Sequence, residues 1–255
     1  MSKKNLVSIG VALGASLAMS NASAITVAGV TWDENSSFDF STQQSLFENN
    51  VNAAGETLTF YGQVDKVNAL GDFCTGCSEL TFVGTYDVLT VGDFDGNGQI
   101  DVVFGNGALN VYADDGTGVA FDPLSSASAG DGVLFAQLSG HTQTVLGNDG
   151  DLFAELDGGL VLAGSNDSGS GFGAWDVIGG AAASFLDTNT KVDGADFTYT
   201  TSFQPVDPED PDNTDIFGTA ELKGDSVTPM PEPSILGLLG IGLLGFGAAR
   251  RKSAR

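Results

Sequence analysis

Basic residues, histidine and cysteine are scarce in this sequence. Its 255 residues include 9 lysines and arginines against 33 aspartates and glutamates, which gives a formal net charge of −24. Such a chain has too few cations to displace the counterions of a phosphate backbone, so we expect no nucleic-acid partner. Its two cysteines are too few for a disulfide scaffold. Its single histidine leaves little material for a zinc site or for general base catalysis.

Regular repeats and long hydrophobic runs are also missing from the body of the chain. The 36 glycines fall short of one residue in three and follow no period, which excludes a collagen. No repeat of about 20–50 residues is visible, which argues against a propeller or a solenoid. The two apolar runs that do occur lie at the ends of the chain.

The first apolar run predicts a secretory signal peptide over residues 1–24. Lys3 and Lys4 provide the positive start, residues 6–19 are apolar, and Ala22-Ser23-Ala24 is an A-x-A cleavage site. Cleavage there makes Ile25 the mature N-terminus. The alternative is an uncleaved membrane anchor, for which the apolar stretch is short.

The second run lies in the C-terminal segment, residues 229–255. Pro231, Glu232 and Pro233 precede an apolar stretch at 235–249, and a basic tail at 250–255 follows. The stretch has 15 residues with five glycines, fewer than the ~20 of a comfortable membrane helix. The positive-inside rule keeps the basic tail in the cytoplasm and the preceding chain outside. The segment therefore predicts a weak C-terminal transmembrane helix on a translocated protein.

This order of features resembles the PEP-CTERM sorting domain. The resemblance implies a Gram-negative bacterium and export across its inner membrane. It further implies processing by an exosortase at Pro231-Glu232-Pro233, after transient anchoring through the C-terminal helix. Proteins of this kind are associated with exopolysaccharide, biofilm and the cell surface. The alternative is an ordinary tail anchor. The resemblance implies nothing about the activity of the body between the two signals.

The body itself, residues 25–228, is more acidic than the whole chain. Residues 25–230 hold 32 acidic residues and only three lysines, Lys66, Lys191 and Lys223, which gives a formal charge of −29. Such a charge favours solubility and opposes contact with anionic lipid or acidic polysaccharide unless divalent cations bridge the two.

The body predicts an all-β fold, an antiparallel β-sandwich or jelly-roll-like domain. Leu58, Phe60 and Val64 alternate with polar residues, as Phe197, Tyr199 and Phe203 do. Helices are expected only at 41–51 and, as a single turn, within 180–186, and the Pro-rich stretch 205–215 reads as an exposed loop. The predicted strands are 25–32, 57–64, 80–91, 100–104, 109–113, 133–138, 152–156, 160–163, 197–203 and 216–222.

An acidic loop between two of these strands is the strongest chemical motif. Oxygen donors occupy its positions 1, 3, 5 and 9, and position 7 offers a backbone carbonyl; these residues are Asp93, Asp95, Asn97, Asp101 and Gln99. The spacing suits Ca²⁺ and resembles EF-hand-like and FG-GAP loops, although Phe104 stands where an EF-hand has its bidentate glutamate. The alternative is a metal-free hairpin with a type I′ turn at Asn97-Gly98.

The remaining reactive residues favour structural roles. Cys74 and Cys77 form a C-x-x-C pair, which is expected to close a local disulfide in an exported protein. The alternative is a redox site, but the pair precedes a strand and has acidic neighbours, which raise a thiol pKa. His141 belongs to no recognised catalytic motif. Trp32, Trp175 and the four tyrosines are candidates for stacking on sugars, with core packing as the alternative.

The sequence therefore predicts a non-enzymatic surface or extracellular-matrix protein that is exported with exopolysaccharide. Two alternatives remain open. One is a Ca²⁺-dependent carbohydrate-binding module, suggested by the acidic loop and the aromatic residues. The other is a polysaccharide-acting enzyme, suggested only by the compartment and the supply of carboxylates.

Overall fold

The computed structural model describes residues 24–36, 39–49, 51, 53–156, 168–205 and 215–227. The signal peptide up to residue 23, the predicted strand at 160–163, most of the loop at 205–215, and the C-terminal segment with Pro231, Glu232 and Pro233 lie outside the described residues. Within those ranges, no helix combines the length and apolarity that a membrane crossing requires.

Strands dominate the described residues. The single α-helix in these ranges, α1 (Ala183–Leu186), has one turn and lies within the expected 180–186. The strands are β1 Ile25–Val27, β2 Val30–Trp32, β3 Phe40–Asn49, β4 Thr57–Val67, β5 Glu79–Gly92, β6 Ile100–Asp114, β7 Val133–Gly140, β8 Gln143–Val145, β9 Asn148–Gly150, β10 Leu152–Leu156, β11 Gly169–Gly179, β12 Phe197–Pro205 and β13 Asp215–Gly224.

Nine of these strands form one sheet that closes on itself. Its order is β10-β11-β12-β13-β3-β4-β5-β6-β7, and additional pairings join β10 to β6 and β11 to β7. All of its strand pairs are antiparallel. Closure leaves few unpaired strand edges and encloses one apolar core. The predicted all-β, antiparallel, sandwich-like fold is confirmed.

Strand alternation places the core inside the closed sheet. Leu58, Phe60 and Val64 of β4 are buried, whereas Thr57 and Thr59, which flank Leu58, are exposed. The inward residues of β12 follow the same two-residue period. Trp32, Trp175, Tyr86 and Tyr199 are at most 4% exposed, so the core role is correct for these four aromatic residues and the sugar-stacking role is wrong.

Strand β3 replaces the helix expected at 41–51. Its inward residues are Phe40, Thr42, Gln44, Leu46 and Glu48. Three of these five are polar, which hides the two-residue period from a hydrophobicity reading. Thr42 and Gln44 are nevertheless buried and hydrogen-bonded to each other at 3.3 Å. Pairing with β4 and β13 over nearly its full length outweighs the local helical pattern.

The inward series of β3 ends at a carboxyl group among aromatic rings. Burial raises the pKa of the Glu48 carboxyl to about 8. Burial, followed by the charge of Glu48, raises the pKa of Tyr199. The hydroxyl of Tyr86 and the indole nitrogen of Trp175 have no hydrogen-bond partner within the described residues.

Strand β6 is continuous where two strands, at 100–104 and 109–113, were expected. Asn106 has a φ of +53°, so the Gly-Asn-Gly segment bends the strand without ending it. Before this bend β6 pairs with β10, and after it with β7. Asp151 is buried at the point where the partner of β6 changes from β10 to β7. Its carboxylate accepts a 3.0 Å hydrogen bond from the backbone amide of Gly107.

The segment 25–32, expected as one strand, is a tight hairpin. Ala28 and Gly29 both have positive φ, which turns the chain between β1 and β2. Gly29 could not be replaced without a clash, since an added Cβ would lie 2.3 Å from the backbone carbon of Gly76. The hairpin therefore packs directly on the segment that contains the two cysteines.

Candidate metal loop and adjoining groove

The acidic loop connects β5 to β6 through residues 93–99. Gly96 and Gly98 have φ values of +76° and +89°, and an added Cβ on either would meet nothing within 4 Å. Asn97 is absent from the positive-φ residues, so the two-residue type I′ turn considered for Asn97-Gly98 is wrong. The connection is a seven-residue loop whose glycines allow the chain to curl around its own side chains.

Carboxylates hold the loop together from its inside. The two oxygens of Asp93 accept hydrogen bonds from the amides of Gly96, at 2.7 Å, and Gly98, at 3.0 Å. Asp101, the second residue of β6, accepts a 2.8 Å bond from the Phe94 amide. Carboxylate oxygens of Asp93, Asp95 and Asp101 all come within 4.8 Å of one another. Three converging carboxylates offer hard oxygen ligands to a divalent cation.

Asn97 and Gln99 occupy the same loop in different ways. The side-chain oxygen of Asn97 accepts a 2.7 Å hydrogen bond from the Gln99 amide. The side-chain nitrogen of Asn97 lies 3.0 Å from Asp95 and 3.3 Å from the side-chain oxygen of Gln99. Of the five proposed ligand residues, the structure brings together the carboxylates of Asp93, Asp95 and Asp101, whereas the side-chain nitrogen of Asn97 links Asp95 to Gln99.

Sequence reasoning missed Glu155, which joins this loop from another strand. Its carboxylate accepts a 3.0 Å hydrogen bond from Asn97. Glu155 stands opposite Asp101 in the β10–β6 pairing, so the sheet fixes it beside the loop. The loop lacks the glutamate that an EF-hand has at position 12. Nothing in its local sequence indicates that Glu155, 58 residues after Asn97, lies beside it.

A groove adjoins the loop on the outer face of β6, β10 and β11. Its volume is about 390 Å³. Phe153 and Phe172, which are directly paired across β10 and β11, stack with ring centroids 5.7 Å apart. The tip of the β8–β9 hairpin, at Leu146, closes one side. We call this the outer groove; its lining includes Asp95, Asp101, Leu146, Phe153, Glu155 and Phe172.

The two cysteines lie beside the N-terminal hairpin β1–β2. Cys74 and Cys77 are joined by a disulfide, with Cα atoms 4.8 Å apart. The amides of Thr75 and Gly76, between them, donate hydrogen bonds to the carbonyl of Gly29 at 3.0 and 3.1 Å. This arrangement gives the bridge a structural role, because it shapes the turn on which the hairpin rests.

His141 follows β7 and pairs with a carboxylate of β11. Its Nδ1 lies 2.9 Å from an oxygen of Asp176, and its backbone amide donates to the carbonyl of Ala174. Both contacts tie the end of β7 to β11. These two contacts are consistent with a structural role for His141.

The comparison with known families indicates where the protein is sent in the cell. Residues 231–252 match the PEP-CTERM protein-sorting motif. The chain carries this sorting motif. A PEP-CTERM protein is exported, processed by an exosortase and associated with the cell surface. No curated protein and no solved structure matched the chain in the same comparisons.

Proposed function

We propose that this PEP-CTERM protein is a non-enzymatic surface protein of a Gram-negative bacterium that binds Ca²⁺ and associates with exopolysaccharide or biofilm. The observation that carries the calcium assignment is the convergence of Asp93, Asp95 and Asp101 in a glycine-hinged loop. Before processing, the apolar stretch at 235–249 anchors the protein transiently in the inner membrane.

Calcium suits this loop for electrostatic reasons. Residues 93–101 include no lysine or arginine. Asn97 links the carboxylate of Asp95 to that of Glu155, and three carboxylates, those of Asp93, Asp95 and Asp101, converge. Their mutual repulsion falls when a divalent cation binds between them, and Ca²⁺ accepts six to eight oxygen ligands in flexible geometry. Bound calcium would therefore stabilise the fold, because it binds the assembled loop and not the unfolded chain.

Calorimetric titration of the exported, processed protein with CaCl₂ tests the metal assignment. We expect saturable binding and a rise in melting temperature, both lost in Asp93→Ala/Asp95→Ala. The matched control is Asp72→Ala/Asp115→Ala, which removes the same charge from exposed positions elsewhere. Equal calcium responses in the two double variants would refute a site at this loop.

Co-sedimentation with the host's exopolysaccharide tests the second part of the proposal. The expected result is that the processed protein sediments with the polymer and that the polymer is not shortened. Release of new reducing ends would contradict the non-enzymatic assignment. Failure to sediment, with calcium binding intact, would leave the metal assignment standing and refute the association with exopolysaccharide.

A further inference from the structure

The outer groove has one apolar wall that faces solvent. Phe172 is 46% exposed and stacks on the buried Phe153, and Leu146 at the hairpin tip is 60% exposed. An exposed, concave aromatic surface on so highly charged a protein is typical of a binding site. The strand pairing fixes the two rings, so the surface needs no rearrangement to receive a flat ligand.

The polar part of the outer groove is acidic and lies on the same sheet face as Phe153 and Phe172. Asp101, Glu155 and Ser170 are in register across β6, β10 and β11 on this face, and Asp95 of the loop also lines the groove. The groove lining within the described residues contains four phenylalanine and leucine side chains, three carboxylates and no lysine or arginine. A ligand complementary to it has an apolar face and a positive charge.

The register places the two kinds of contact close together. Glu155 stands opposite Ser170, two residues before Phe172 on β11. Such diagonal positions on one face of an antiparallel pair are about 7–8 Å apart. A pyranose ring over Phe172 would therefore bring an amino group carried directly on that ring within reach of the Glu155 carboxylate.

We propose that the outer groove binds an amino sugar, with the apolar face of the ring on Phe172 and the protonated amine on Glu155. This proposal deepens the proposed function, on which it rests, by naming the class of glycan that the protein meets at the surface. Without a bridging divalent cation, the carboxylates and the charge of −29 on residues 25–230 repel an acidic glycan. A lysine side chain offers the charge but no flat face for the aromatic wall.

The ligands for the test differ in one property at a time. Calorimetry compares the β-1,4-linked glucosamine disaccharide with its N,N′-diacetyl form, at about pH 6, where a free amine is protonated. Acetylation removes the charge and keeps the rings. Trilysine serves as a charged ligand without rings. The protein is the exported, processed form, studied with and without Ca²⁺.

Four substitutions test the two walls of the groove. Phe172→Ala should weaken binding of the glucosamine disaccharide about fivefold to tenfold, while Phe172→Tyr should keep it. Glu155→Gln should weaken it about tenfold through loss of a charge-assisted contact. Asp72→Asn, which removes one charge from an exposed loop, should change it little. Thermal melts confirm that each variant is folded.

The outcomes separate this inference from its alternatives. Preference for the free amine, with loss in both Phe172→Ala and Glu155→Gln, supports it. Equal effects of Glu155→Gln and Asp72→Asn would indicate diffuse charge attraction and overturn it. Tighter binding of trilysine would assign the groove to a basic peptide and also overturn it. Absence of sugar binding, with calcium binding and exopolysaccharide association intact, would refute the inference and leave the proposed function standing.

Discussion

The side-chain amide of Asn97 donates a 3.0 Å hydrogen bond to the carboxylate of Glu155, across 58 residues of sequence. The same amide also contacts Asp95. One neutral donor therefore holds two carboxylates that would otherwise repel each other. Replacing this donor by a third carboxylate should weaken the empty loop and strengthen its hold on a cation.

Asn97→Asp tests that expectation. The added charge should raise calcium affinity about tenfold, because affinity in such loops rises with the number of charged ligands. Without calcium the variant should melt at a lower temperature than the wild type, since the donor is lost and a like charge is added. The measurement is a pair of melting curves, with and without Ca²⁺, together with a calorimetric titration.

Asn106→Asp is the matched control for this variant. Asn106 donates a 3.0 Å hydrogen bond to Asp87 and lies outside the calcium loop. The control should also melt at a lower temperature but should keep wild-type calcium affinity. If Asn97→Asp binds calcium no better than the control does, position 97 supplies no calcium ligand.

Strands β4 and β12 could be predicted from the sequence because their inward residues are mostly apolar and alternate with polar ones. Two other strands of the nine-stranded sheet, β3 and β11, escaped prediction for different reasons. Strand β3 turns polar side chains inward, and β11 places Gly169, Gly171 and Gly173 at inward positions. A Cβ on Gly173 would lie 2.3 Å from the carbonyl oxygen of Asp151, so the absence of side chains there permits close approach of the backbone.

The residues of the candidate site also differ in how far the sequence predicts them. Some follow from local spacing, and others depend on strand pairing. Local spacing was enough to predict Asp93, Asp95, Asn97, Gln99 and Asp101, because the ligands of such a loop lie within a few residues of one another in the sequence. Glu155 and Phe172 reach the loop only through the pairing of β10 with β6 and β11. A single sequence contains no signal of that pairing, particularly where the glycines of β11 hide the strand.

Glu48→Gln should flatten the dependence of stability on pH. Burial raises the pKa of Glu48 to about 8 in the folded protein, whereas an unfolded glutamate titrates near pH ~4.3. Between these values the folded state holds a proton that the unfolded state has lost, so stability falls as pH rises and the contribution is gone above about pH 8. Glutamine stays neutral throughout and avoids this loss.

Urea unfolding at several pH values between about 5 and 8.5 measures the effect, because the expected loss lies within this window. The difference between wild type and Glu48→Gln should grow with pH and favour the variant. Asp72→Asn, which removes a carboxylate from an exposed loop, should follow the wild-type curve. Parallel curves for wild type and Glu48→Gln would show that the Glu48 carboxyl titrates in the same way in the folded and unfolded states.

Removal of the disulfide should destabilise the protein modestly and locally. Cys74→Ser/Cys77→Ser opens a loop with a sequence separation of three, for which chain entropy predicts about 2 kcal/mol or less. Hydrogen exchange should accelerate at the Thr75 and Gly76 amides, which donate to Gly29, more than at the β3–β13 ladder. Uniform acceleration across both regions would instead assign the bridge a role in global stability.

Substitution of the sorting motif should block maturation without affecting the β domain. Pro231, Glu232 and Pro233 begin the residues that match the PEP-CTERM sorting motif, which implies processing by an exosortase. Alanine at all three positions should leave a larger, membrane-retained precursor in immunoblots of cell fractions. Pro229→Ala, just before the motif, should mature normally. A mature surface form from the triple variant would show that processing does not depend on this motif.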